Sequence, residues 1–111
     1  MVNVCTPVKH NEGIMSATIL LVEDEAEMCN LVSQVLSPLR SKIIFAENWT
    51  DALTTFAKNL PRVVLLNYKF PQFAGGEPEP IGLMLLEVIK TQKSTTQVIM
   101  LTGSSDIQVA F

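Results

Sequence analysis

Short apolar runs alternate along the chain with segments in which apolar residues recur at helical spacing. Four runs rich in Val, Ile and Leu occupy residues 18–22, 42–46, 62–67 and 97–101. A continuous apolar run of this length is typical of a strand that is buried on both faces of a sheet. The pattern therefore predicts four strands.

The segments between these runs have the pattern of helices. Pro38 ends the first helix, and a loop rich in Pro and Gly at residues 71–80 precedes a third helical segment at residues 83–90. The order βαβαβαβ predicts an α/β fold, a doubly wound parallel sheet with helices on both faces. The apolar positions expected on the first two helices are Met28, Leu31, Val32, Val35, Leu36, Trp49, Ala52, Leu53, Phe56 and Ala57.

Length and charge narrow the class of protein. The 111 residues have room for one domain. Residues 1–16 show neither the spacing of a helix nor the alternation of a strand, so we expect them to form a mobile extension before a domain at residues 17–111.

A net charge of −3 argues against nucleic-acid binding. The absence of a long apolar stretch argues against a membrane span and, with no signal peptide pattern, favours the cytoplasm.

Cysteine and histidine are too sparse for zinc or thiol chemistry. Cys5 and Cys29 form no CxxC pair, and the only histidine is His10 in the N-terminal extension. Without a histidine in the predicted domain, no hydrolytic triad can be assembled.

Four carboxylates follow the first predicted strand. They are Glu23, Asp24, Glu25 and Glu27, at the strand end where ligands bind in parallel sheets. Mg²⁺ needs only one or two carboxylates, so a cation site is one interpretation. The alternative is a solvated helix start with Asp24 as the N-cap. Either way, the acids would repel a phosphate in the absence of a cation, which argues against a phosphate-binding turn.

Three strand ends together resemble a known family. Residues 19–25 (ILLVEDE), 65–71 (LLNYKFP) and 100–103 (MLTG) are similar to the motifs of the receiver domain of bacterial two-component response regulators, over residues 18–111. The resemblance implies a flavodoxin-like fold with strand order 2-1-3-4. It also implies a signalling module of a phosphorelay and not an enzyme.

The resemblance also implies roles for individual residues. Glu23, Asp24, Asn67 and the backbone carbonyl of Lys69 would bind Mg²⁺, Asn67 would occupy the phosphoacceptor position, and Thr102 would be the phosphate-sensing switch. The family has Asp where this chain has Asn67, and a neutral amide oxygen is a poor nucleophile. We therefore expect a pseudo-receiver with weak Mg²⁺ binding and no ordinary phosphorylation. Without the resemblance, Asn67 would be interpreted as a residue that caps a turn.

Two further departures concern the loop and the C-terminal part. The loop at residues 72–82 is longer than the family's pattern, Pro-x-x-Asp-Gly. Either Ala74 or Ile81 therefore stands where the family has the Asp that precedes the Gly. The family's fifth strand, lysine and fifth helix are missing, which predicts a fold truncated after the fourth strand. An open strand edge and an uncovered sheet face favour association, so we expect a homodimer through this C-terminal edge, an exchanged segment or a marginally stable monomer.

The sequence thus supports two hypotheses from different classes. The first is a receiver-like module that acts through protein–protein binding, with a histidine kinase or an output protein as its partner. The alternative is a metal- or nucleotide-binding α/β enzyme that uses Glu23 and Asp24.

Overall fold

The computed structural model describes residues 17–101, which form a parallel four-stranded sheet with helices on both faces. The predicted N-terminal extension and Thr102 lie outside these residues. The strand order is β2-β1-β3-β4, which confirms the predicted arrangement. The elements are β1 (Thr18–Val22), α1 (Ala26–Leu36), a 3₁₀ turn (Ser37–Leu39), β2 (Lys42–Ala46), α2 (Trp49–Asn59), β3 (Val63–Asn67), α3 (Gly82–Gln92) and β4 (Gln97–Leu101).

The main core lies on the sheet face that packs against α2 and α3. Alternate strand residues point to this face, and Leu20, Leu66 and Val98 are completely buried there. Phe56 of α2 and Leu85 of α3 fill the space above them, at 1% and 0% exposure. This side therefore has the two-layer packing of a complete domain.

Fewer described residues are buried on the opposite face of the sheet. Its buried residues are Ile19, Leu21 and Leu65, and α1 is the helix that packs on them. Ile99 and Leu101 of β4 are only partly buried. Among the described residues, one helix thus covers a face that is four strands wide.

The apolar face predicted for α1 is only partly correct. Val32 and Leu36 pack against the sheet as expected, and Cys29 joins them. Leu31 and Val35 are 53% and 66% exposed, because no described helix flanks α1 on that side. On α2, Ala57 is likewise exposed, whereas the other four predicted positions contact the core.

The β3–α3 connection is a loop closed at its base. Phe70 and Glu79 form an antiparallel bridge through backbone hydrogen bonds of 3.1 and 3.0 Å. Pro71 at the start of the loop accepts a hydrogen bond from the backbone N–H of Trp49 at 2.9 Å, which attaches the loop to α2. The residues by which this loop exceeds the family's pattern therefore lie between two ends that the Phe70–Glu79 bridge holds together.

Gly82 begins α3 at a point where no side chain fits. Its N–H donates to the Tyr68 carbonyl at 2.9 Å, and a Cβ atom here would lie 2.5 Å from the Asn67 carbonyl oxygen. Of the two glycines that fit the expected motif, Gly82 has this close backbone contact, whereas Gly75 has no atom within 4 Å of its Cβ position. The contact favours Ile81 over Ala74 as the residue at the position of the preceding Asp.

We expect Gly82→Ala to lower the free energy of unfolding by about 1–3 kcal/mol or more, because the obstructing atoms belong to the backbone and cannot rotate away. Gly75→Ala is the matched control, since Gly75 has a φ of +82° but no atom within 4 Å of its Cβ position. This control should cost about 1 kcal/mol, from backbone conformation alone. Urea unfolding measures both, and equal losses would contradict the close approach.

Candidate functional site

The candidate site lies where β1 and β3 end at the same edge of the sheet. Val22 pairs with Leu66 in the parallel register, so the next residues, Glu23 and Asn67, are neighbours. Asn67 Nδ2 donates to Glu23 Oε2 at 3.3 Å, and the backbone N–H of Glu25 donates to the same oxygen at 3.1 Å. The strand order thus brings two of the predicted site residues into direct contact.

Glu23 is a buried carboxyl group with an unfavourable environment for its charge. It is only 2% exposed, and this burial is the main cause that raises its pKa above the ordinary value of 4.5. The negative charges of Asp24 and Glu25 raise the pKa further, while the hydrogen bond from the Glu25 backbone N–H lowers it. The group therefore favours a proton or a nearby positive charge.

Asp24 is half-buried beside Glu23, and its carboxylate is close enough to affect the Glu23 pKa. It is not the N-cap of α1, because the helix begins at Ala26 and Glu25 occupies the cap position without a side-chain capping bond. The structure therefore does not support the interpretation that these acids serve only as a helix cap.

The donor set of the site suits a hard cation only in part. Glu23 and Asp24 offer carboxylate oxygens, which are the ligands that Mg²⁺ prefers. Asn67 adds a neutral amide, and Lys69 is an exposed residue two positions beyond β3. Within residues 17–101, no group of three or more His, Cys, Asp or Glu side chains is arranged as a metal site. The residues thus offer Mg²⁺ two carboxylates and neutral oxygens, which is the ligand chemistry that it accepts.

Cys29 is a neighbour of the site that the sequence did not indicate. Its Sγ lies 3.7 Å from the Glu23 carbonyl oxygen, to which it donates a weak hydrogen bond. Burial, followed by the charges of Glu23, Glu47 and Asp24, raises the pKa of this thiol. The usable signal was its spacing, since Cys29, Val32 and Leu36 fall at i, i+3 and i+7 on α1.

Comparison with known proteins identifies the domain. The family model of the response regulator receiver domain matches residues 19–111. The chain belongs to this family. It is 33% identical over 92 residues to the regulatory protein VanRB of Enterococcus faecalis, in a match that covers 83% of this chain and 38% of that protein. The chain therefore spans less than half of this curated relative.

Solved structures agree with the family assignment. NtrX from Brucella abortus in complex with ADP superposes with a TM-score of 0.67 at 30% identity, covering 83% of this chain and 19% of that one. The signal receiver domain of the putative LuxO repressor protein from Vibrio parahaemolyticus gives a TM-score of 0.66 at 27% identity, with 82% and 66% covered.

The receiver family is a family of signalling modules, and the chain is the receiver domain of a two-component response regulator. The alternative of a metal- or nucleotide-binding enzyme gains no support from these matches.

The helices described in residues 17–101 have eleven residues or fewer, and none provides the apolar length that a bilayer crossing requires.

We expect Glu23→Gln to stabilise the fold at pH 7 in metal-free buffer. A raised folded-state pKa means that the unfolded chain ionises Glu23 first, so the contribution of Glu23 to stability is greatest below pH 4.5 and is lost as the pH rises through the folded pKa. Gln removes this loss while its amide oxygen still accepts both hydrogen bonds. Urea unfolding between pH 4 and 7 should show an advantage of the variant that grows with pH.

Glu87→Gln on the exposed face of α3 is the control for this prediction, and its effect should not vary in the same way with pH. A Glu23→Gln protein whose stability relative to the parent is independent of pH would contradict the raised pKa.

Proposed function

We propose that this receiver domain is a pseudo-receiver that is not phosphorylated in the usual way and acts through protein–protein binding. The observation that carries the proposal is the hydrogen bond of 3.3 Å from the Asn67 amide to Glu23 at the end of β3. This contact puts an amide beside Glu23, and it supports the proposal that Asn67 occupies the position where the family has its phosphoacceptor aspartate.

The chemistry of an amide supports this proposal. A carboxylate attacks phosphorus through an anionic oxygen, whereas the Asn67 amide oxygen is neutral and weakly nucleophilic. The Asn67 NH₂ group also donates to the Glu23 carboxyl group, where an aspartate would repel it. The side chains of Asn67 and Glu23 are therefore hydrogen-bonded to each other without a phosphoryl group.

Mg²⁺ is proposed as a weakly bound cofactor of this site. Glu23, Asp24, the Asn67 amide oxygen and the Lys69 backbone carbonyl are the proposed ligands. When bound, the cation would supply positive charge among the carboxylates. Asn67 removes one formal negative charge from the family's ligand set, so we propose a lower affinity than that of a receiver with three carboxylates.

Thr102 is proposed to be the switch residue because it follows Leu101, whose partner in the β3–β4 register is Asn67. Its role rests on the family motif, since it lies outside the described residues.

The proposed partner is a protein, either a histidine kinase or an output protein, and the proposed compartment is the cytoplasm.

A second copy of the chain is a further proposed partner, through the edge strand β4. In support, within residues 17–101 β4 pairs with β3 on one side only, and Ile99 and Leu101 are only partly buried. Apolar contacts of this kind would depend little on salt.

Incubation with a small phosphodonor and Mg²⁺ should leave the mass of the parent protein unchanged. Asn67→Asp supplies an anionic nucleophile, so a species heavier by about 80 Da, one phosphoryl group, should appear at a low level. Asn30→Asp on the exposed surface of α1 is the matched control and should remain unlabelled. Intact-protein mass spectrometry measures all three proteins. Labelling of the parent at Asn67 or its loop would refute the proposal.

We expect weak, saturable Mg²⁺ binding that Asp24→Ala abolishes and Asn67→Asp strengthens by about tenfold, since it restores a carboxylate ligand. Trp49 is a suitable fluorescent reporter because it is half-buried and its backbone N–H bonds to Pro71, four residues beyond Asn67. The melting temperature of each variant checks its fold. Equal affinity in the parent and Asp24→Ala would exclude Asp24 as a ligand.

A further inference from the structure

The charged residues of the domain are segregated between the two ends of the sheet. Among residues 17–101, eight acidic residues and Lys69 lie at the end where the strands terminate. At the opposite end, the described part of the chain has six basic residues and no acidic one, while Glu87 lies midway along α3. The acidic residues are Glu23, Asp24, Glu25, Glu27, Glu47, Asp51, Glu77 and Glu79, and the basic ones are Arg40, Lys42, Lys58, Arg62, Lys90 and Lys93.

The basic end contains an open groove of about 620 Å³. Arg62 and Lys93 line it together with the polar residues Thr95 and Gln97, and no carboxylate is among the lining residues. Ala17 and Val63 supply apolar surface. We call this surface the basic groove. Its charge and its mixed lining suit an acidic segment that also carries an apolar side chain.

Lys90 does not contribute a comparable charge to the groove. Its ammonium group donates to the carbonyl oxygens of Ser94 and Thr96 at 2.7 and 2.8 Å, which fixes the turn before β4. Arg62 and Lys93 are therefore the cations that we assign to binding.

The acidic end carries a segment of matching chemistry. The loop at residues 72–80 exposes Glu77, and it exposes Phe73 to 60%. The Phe70–Glu79 bridge closes its base, and a hydrogen bond of 3.0 Å from Gln72 to Glu79 adds a second connection. The loop thus presents a carboxylate and an aromatic ring from an anchored base, which reduces the entropy cost of binding.

We propose that copies of this chain associate head to tail, with the loop at residues 72–80 of one copy bound in the basic groove of the next. Glu77 would face Arg62 and Lys93, and Phe73 would contact the apolar part of the groove. The contact joins two different surfaces, so each pair leaves one loop and one groove unoccupied and can add further copies. It is independent of the phosphoacceptor position and differs from the apolar contact proposed for β4.

Sedimentation velocity of the full chain tests the proposal at about 20 mM and about 500 mM salt, where charges are weakly and strongly screened. The parent should self-associate at low salt, and the association should weaken at high salt. Glu77→Gln and the double variant Arg62→Gln/Lys93→Gln should each reduce the association constant by about fivefold. Lys58→Gln, an exposed basic residue outside the groove lining, is the matched control and should associate like the parent.

A mixture of the two deficient variants provides the decisive measurement. The Glu77→Gln protein keeps its groove and the double variant keeps its loop, so the mixture should form a 1:1 heterodimer that does not grow. All these positions except half-buried Lys93 are exposed, and circular dichroism checks that each variant is folded.

A parent that is monomeric at low salt would overturn the proposal. Association that is insensitive to salt and unchanged in both variants would also overturn it and would favour the β4 edge. A mixture that forms no heterodimer would exclude the pairing of this loop with this groove.

Discussion

β1 is hydrogen-bonded to β2 on one side and to β3 on the other, and its residues from Ile19 to Val22 are 5% exposed or less. A shift of this strand by one residue would exchange its side chains between two sheet faces that pack against different helices, so the register is strongly specified. The position of Glu23 relative to β3 follows from this constraint. The acidic pair and Asn67 are therefore adjacent because of the backbone pairing of the sheet, before any contact between their side chains is considered.

The site is organised around a carboxyl group that is difficult to ionise. Burial and the adjacent acids raise the pKa of Glu23, and the Asn67 amide donates a hydrogen bond to it. An aspartate at position 67 would add a negative charge here and increase the need for a cation. The neutral Asn67 amide adds no negative charge to these acids, and its oxygen is a poor nucleophile. Both properties follow from the absence of a charge on the amide.

The strands were predictable because continuous apolar runs in an α/β pattern have few other interpretations. The exposure of Leu31 and Val35 was not, since helical spacing identifies an apolar side but not how much of it a neighbour covers. The position of Gly82 required the structure, because two glycine-containing segments of a long loop fitted the motif equally well. The bond between Asn67 and Glu23 depends on side-chain rotamers, which strand pairing does not determine. The predicted roles of Asp24, Lys69 and Thr102 rest on family motifs and await the experiments proposed for the site.

The absence of a side chain at Gly82 has a mechanical consequence. The first turn of α3 lies directly against the backbone of Asn67 and Tyr68, with no flexible group between them to absorb a displacement. A shift of the β3 end by a fraction of an ångström would therefore be transmitted to α3. Since α3 is eleven residues long and a helix rises about 1.5 Å per residue, a small tilt at its start becomes a larger displacement at Lys93. The direction of α3 is thus fixed by the backbone at the end of β3.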